Sequence, residues 1–269
     1  FPYIFIILTP FIAPILRRVL STMTRWKASF IHLLISIAVV GTVAAYIIYF
    51  WYPLALIPMA KVDKLLGLVG GIDLIVGPLL TLIVYKTGKA SLKMDLTVIA
   101  LVQAAFLSLG LYTMFQSRPV FLVASSKTFD LVFAPDILPE QLAKARLPQY
   151  QTLGFTKPQL VGVKMPTDSD AQSRIMNSAF TGAGDLQTMP EYYVEYQEMI
   201  PEIIANSFPL LVGKNASEQN ISLMKEAATN YGKNPDHVHF MHLGSTRGFA
   251  VMLVDAKTGE IVGPVNVDP

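Results

Sequence analysis

The chain contains no cysteine. Disulfide staples, thiolate-bound haem or iron–sulfur clusters and thiol nucleophiles are thereby excluded, and any folded domain must be held by core packing alone. Charge is also scarce, at 15% of 269 residues, against 52% hydrophobic residues. A purely soluble domain needs more charge than that to cover its surface. The signature stretches of common catalysts are missing too: there is no P-loop, HExxH or GxSxG, and GAGD (182–185) is too short for a phosphate or dinucleotide loop. No basic, aromatic-interleaved patch points to nucleic acid.

What charge there is divides unevenly. Residues 1–115 carry nine Lys/Arg against three Asp/Glu, and residues 116–269 carry twelve against sixteen. The first part holds three windows of the roughly 20 apolar residues needed to cross a bilayer: about 30–51, 65–85 and 96–115. Trp26, Trp51, Tyr52, Tyr85 and Tyr112 lie at or near their ends, where aromatic rings suit the headgroup region. The expected organisation is residues 23–117 as a three-helix transmembrane domain and residues 118–269 as a second domain.

Basic residues set the expected orientation. Arg25 and Lys27 precede the first window, and Lys86, Lys89 and Lys93 fill the second connection, whereas the first connection holds only Lys61 and Lys64. The positive-inside rule then puts the N-terminus in the cytoplasm and the second domain outside. Residues 1–22 are apolar, contain three prolines and lack the basic segment of a cleavable signal. Met23 opens MTRWKAS, a natural start, so residues 1–22 read as a non-native or upstream extension; a fourth, interfacial segment is the alternative.

After Arg118-Pro119 the pattern changes. Strands are expected at 120–123, 128–133 and 159–165, and helices at 139–147, from Thr167 or Asp168 to Gly182, and from Ser217 to Asn230. Three closing strands are expected at 237–243, 248–255 and 260–267, the last two joined by AKTGE with Gly259 taking positive φ. This is an α+β domain ending in a meander.

Asp73, inside GGIDLIVGPLLTLIVY (70–85), is the conspicuous candidate. An isolated carboxylate in lipid is expensive, so it either meets a partner or proton path, or snorkels to water. Gly67, Gly70, Gly71 and Gly77 leave a helix face with little side chain, open to close helix approach, and Pro78 permits a kink. In PEYYVEYQEMIPE (190–202), Glu191, Glu195, Glu198 and Glu202 are spaced four, three and four, which on a helix makes an acidic stripe beside Tyr192, Tyr196 and Met199; Pro201 interrupts that pattern, and an extended reading fits the tyrosines nearly as well. That stripe is either a solvated face or a contact patch, with Tyr193 as part of it. In HVHFMH (237–242), His237 and His239 would share one face of a strand and could hold a metal, although ordinary surface or hydrogen-bonded histidines explain them as well. NAS (215–217) and NIS (220–222) match the glycosylation acceptor pattern, a match that short tripeptides make by chance.

RWKASFIHLLISIAVVG (25–41), WYP (51–53), GGIDLIVGPLLTLIVY (70–85) and the run from Leu92 to Val123 together resemble the type IV pilin accessory protein family, the TfpX/TfpZ-like proteins. The Asp-x-x-x-Gly-Pro arrangement of Asp73, Gly77 and Pro78, the Met94-Asp95 pair and the exit Arg118-Pro119 carry it best. The resemblance covers residues 25 to about 123 well and the remainder loosely. It implies three N-terminal transmembrane α-helices followed by an α+β periplasmic domain, in the bacterial inner membrane. It further implies a non-enzymatic accessory or chaperone protein, without cofactor or metal, that assists the type IV major pilin and meets other pilus assembly components and membrane lipid. Type IV pilins enter the membrane by an apolar helix with a charged amino terminus, and Asp73 with Gly70, Gly71, Gly77 and Pro78 would face that helix. Glu191, Tyr192, Tyr193, Glu195 and Tyr196 would face the pilin head. A periplasmic ligand-binding or sensory membrane protein, and a membrane enzyme or transporter subunit using Asp73 and a histidine, are the competing readings.

Overall fold

The computed structural model describes residues 23–211 and 217–267; the reading of residues 1–22 and part of the NAS tripeptide lie outside them. The chain forms two compact units, one comprising residues up to Ala45 together with Lys64–Thr113, the other Tyr46–Asp63 together with Met114 onward.

The apolar windows are helices. α1 runs Arg25–Phe50, α2 Val62–Val84 and α3 Leu92–Gln116, each long and apolar enough to cross a membrane. The interior of α2 is not regular. Ile72–Val76 is a π-helical segment that separates Val62–Gly71 from Gly77–Val84. In its i→i+5 pattern the donor owed to the Asp73 carbonyl would be residue 78, and Pro78 has no N–H. The irregularity that Pro78 permits thus appears as a π-bulge over Ile72–Val76, with Asp73 its second residue.

In the first unit, glycines bring the helices close. A Cβ at Gly70 would stand 3.2 Å from Val40 Cγ1 of α1, and one at Gly77 would overlap the Gln103 carboxamide of α3. Two of the four glycines expected to form a smooth face therefore pack against the chain's own helices. Gly67 and Gly71 have nothing within 4 Å of a Cβ.

The second unit is built on a mixed sheet of β1 (Pro119–Ala124), β2 (Thr128–Phe133), β3 (Gln159–Val163), β4 (Tyr193–Val194), β5 (Phe208–Pro209), β6 (Val238–Ser245), β7 (Phe249–Asp255) and β8 (Ile261–Val265). The order is β4-β3-β1-β2-β6-β7-β8, with β5 also pairing β6. β1 runs parallel to β3 and β2 parallel to β6, while the other pairs are antiparallel. Strands covered on both faces read as nearly continuous apolar runs, as VFLVA and FAVMLV do. The helices α4 (Ser169–Thr181), α5 (Ile200–Asn206) and α6 (Glu218–Asn230) accompany the sheet. Asp168 caps α4 through Ala171 N and Gly182 ends it at φ +73°, while Ser217 caps α6 through Asn220 N. One core cluster gathers Phe121, Val161, Tyr150 and Tyr193; another packs Ile221, Met224 and Ala228 of α6 on Phe240, Val251 and Leu253. Gly259 takes φ +66° in the final turn, as expected.

Three local expectations need correction. The helix expected over 139–147 ends at Leu142, because so short a helix is not self-supporting and Ala145 is drawn into the core. His237 lies in a 3-10 turn (Pro235–His237) and precedes β6, so it does not share a strand face with His239. The acidic stripe is not one helix: 190–192 is a 3-10 turn, Tyr193–Val194 pairs with β3, 196–199 is a second 3-10 turn, and Pro201 stands in the first turn of α5. Edge-strand pairing outweighs the glutamate periodicity there.

Candidate functional site

The first unit contains a polar chain within its apolar helices. α1 contributes Ser29, His32 and Ser36, spaced three and four residues apart and so on one helix face. Ser29 Oγ donates to the Pro78 carbonyl at 2.9 Å. His32 Nε2 lies 2.8 Å from Gln103 Oε1, and His32 Nδ1 lies 2.5 Å from Thr81 Oγ1. A carboxamide oxygen only accepts, so in the neutral imidazole Nε2 carries the proton and Nδ1 accepts from Thr81. Gln103 Nε2 then donates to the Asp73 carbonyl at 3.2 Å. The side chain of α3 thereby supplies the donor that Pro78 denies to the π-bulge.

Asp73 itself is 4% exposed, and its Oδ1 has no hydrogen-bond partner. It lines a cleft of about 250 Å³ whose walls include His32, Ser36, Val39, Val40, Gln103 and Leu107. His32, Thr81 and the Gln103 carboxamide bond to one another and to the Asp73 main chain, and none of these bonds reaches Asp73 Oδ1. A buried polar atom left without a partner costs stability comparable to a lost hydrogen bond, and more if charged. The cleft thus presents an unpaired acceptor on otherwise largely apolar walls. Chemically it suits an apolar segment carrying one hydrogen-bond donor, neutral or cationic.

The sequence singled out Asp73, Gly77 and Pro78; of these Asp73 lines the cleft, whereas Gly77 packs on Gln103, the Pro78 carbonyl accepts from Ser29, and Gly70 packs on Val40. The sequence passed over Gln103, Thr81, Ser29 and Ser36. The spacing of Ser29, His32 and Ser36 was a usable signal, whereas nothing in LVQAAF marks Gln103.

In the second unit, the residues proposed to meet a pilin head are divided. Tyr193 is 1% and Tyr196 7% exposed. Tyr193 Oη donates to the Gln187 carbonyl at 2.5 Å and Tyr196 Oη to Gly259 at 2.6 Å. Burial raises both hydroxyl pKa values, that of Tyr196 to about 12. These two rings are core. Glu195 and Glu198 are exposed, held by Gln149 Nε2 at 2.8 Å and Lys164 Nζ at 2.9 Å, while Glu191 and Tyr192 are half-buried. His239 Nδ1 lies 2.9 Å from Ser207 Oγ, and burial lowers its pKa. His242 makes edge contacts with Phe208 and Phe240. Among the described residues no cluster of three His, Cys, Asp or Glu is placed to hold a metal.

Residues 21–54 match the model of the family described as fimbrial assembly protein FimB. A fimbrial assembly protein of serogroup E1 from Dichelobacter nodosus is 27% identical over 250 residues, spanning 90% of this chain and 95% of the relative. The serogroup I protein of that organism aligns to the same extent with the same identity. The protein of serogroups C1 and C2 is 32% identical over 121 residues, covering 44% of this chain and 92% of that relative. No solved structure matches the chain.

Proposed function

The chain belongs to the fimbrial assembly protein (FimB) family, and on that premise we propose that it is a non-enzymatic inner-membrane accessory protein that holds a type IV pilin for assembly into the pilus. Its role in pilus assembly follows from the family; the manner of action is read from the site. The observation that carries the reading is the buried Asp73 with its unpartnered Oδ1 on an apolar cleft among three membrane helices. A pilin helix brings an apolar surface and a terminal amine, which matches that demand in both parts. The π-bulge and its Gln103 support hold the acid in place before any partner arrives, so little ordering cost remains at binding.

In this reading the N-terminus of α1 is cytoplasmic, as the basic residues Arg25, Lys27, Lys86, Lys89 and Lys93 favour. The α+β unit is periplasmic and meets the pilin head. The exposed Glu195, with Glu191 and Tyr192 at its side, remains the candidate contact there, now without Tyr193 and Tyr196.

The test is Asp73→Asn, which keeps shape and removes the ionisable acid. The variant is expected to accumulate normally in the membrane while pilin abundance and surface pili fall. Unchanged pilin abundance and piliation would overturn the reading.

A further inference from the structure

From the second unit we infer that the loop Gln151–Lys157 is a membrane-interfacial anchor, with Phe155 inserted at the edge of the lipid hydrocarbon. A single exposed phenylalanine on a domain surface carries no message by itself. Phe155, which is 74% exposed, differs in what it touches: its ring stacks on Phe115 at 5.8 Å, and Phe115 is the penultimate residue of α3. Phe115 in turn lies 5.2 Å from Trp51, just past the end of α1, and Trp51 meets Tyr46 edge-on at 5.5 Å. These are the last turns of two spanning helices, where aromatic rings sit at the boundary between headgroups and acyl chains. Whatever stacks on Phe115 lies at that depth.

The loop is fixed there by hydrogen bonds. Arg118, 4% exposed, donates from Nε and Nη2 to the Gly154 carbonyl at 3.0 and 2.7 Å, and from Nη1 to the Phe115 carbonyl at 2.8 Å. One guanidinium thus ties the end of α3 to the residue before Phe155. Two residues on, Lys157 Nζ stands 5.0 Å from the centre of the Tyr49 ring, in the last turn of α1. An ammonium beside a belt tyrosine is in reach of lipid phosphates while its stem lies on apolar surface. Phe155 is itself one wall of a cleft of about 520 Å³, with Phe115, Ile137, Leu142 and Leu153 among the others, and its high exposure keeps the ring out of the domain core. The partner that fits a rigidly tethered, outward-facing phenyl flanked by a cation at belt depth is the bilayer surface itself.

The test uses the full chain in phosphatidylethanolamine–phosphatidylglycerol vesicles without any other protein, and the absence of cysteine makes single labelling direct. Thr156→Cys carries a nitroxide while Phe155 stays in place, and Glu226→Cys on α6 is the aqueous reference; both positions are exposed. At 156, collisions with a water-soluble nickel chelate are expected to be several-fold fewer than at 226, and collisions with oxygen more frequent. Adding Phe155→Ser should return the 156 label toward the reference values. Chelate accessibility at 156 equal to that at 226 would overturn the inference. So would low accessibility to both reagents, which means burial in protein, or protection that survives Phe155→Ser. Because no pilin is present, the outcome is independent of the pilin-holding reading.

Discussion

Gln103 of α3 donates its carboxamide N–H to the main-chain carbonyl of Asp73, 30 residues earlier in the chain. The bond couples two irregularities that are costly in lipid, a proline inside a helix and an acid inside an apolar span. Its other end is held by His32, so each of the three helices of the first unit contributes to the setting of one carboxyl group.

Replacing Gln103 by Leu is therefore expected to leave the Asp73 carbonyl and the His32 Nε2–H unpaired, at about 1–3 kcal/mol for each buried group. Thermal unfolding of the detergent-solubilised protein should show a clear drop in midpoint. His32→Leu combined with Gln103→Leu should cost less than the sum of the two singles, since the pair shares a bond.

Gly77→Ala would drive a methyl group into the Gln103 carboxamide. The change is expected to destabilise by about 1–3 kcal/mol, as overpacking does. Gly71→Ala, where a Cβ meets nothing within 4 Å, should leave the midpoint within about 0.5 kcal/mol of the parent. Equal effects at the two positions would contradict the described helix packing.

Asp130 on β2 is pushed above the ordinary carboxylate range by burial, only partly offset by the Thr128 hydroxyl at 3.0 Å. With a folded-state pKa raised above its unfolded value, the stability tied to the protonated acid is fully present below the unfolded pKa. It is lost as pH rises through the folded value. Asp130→Asn should accordingly unfold at a higher temperature than the parent at neutral pH. The difference should close as pH falls below the ordinary carboxylate pKa, read by near-ultraviolet dichroism of the buried tyrosines.

The spans and most strands were legible because each depends on a local pattern: a long apolar window, a short apolar run, or a capping residue such as Asp168 or Ser217. Asp73 stood out for the same reason, as an acid among aliphatic residues. Its surroundings did not, because His32 meets Thr81 across 49 residues and Gln103 across 71. Lone polar residues in apolar helices carry no mark of which partner they will find. The stretch at 190–202 left a helical and an extended reading open, and the extended one holds at Tyr193–Val194. Its glutamates keep helical spacing, yet Pro201 and the pairing of Tyr193 with Val163 break it into turns and an edge strand, and the intervening tyrosines are spent on the core.

The central claim is that the Asp73 cleft receives a pilin helix. It is tested most directly by placing a photoreactive amino acid at Val39, which lines the cleft and is 44% exposed, with Asp73 left intact in piliated cells. Irradiation should yield an adduct containing the major pilin, and that adduct should be strongly reduced by Asp73→Asn. Adducts only with lipid, or only with another copy of this protein, would contradict the account.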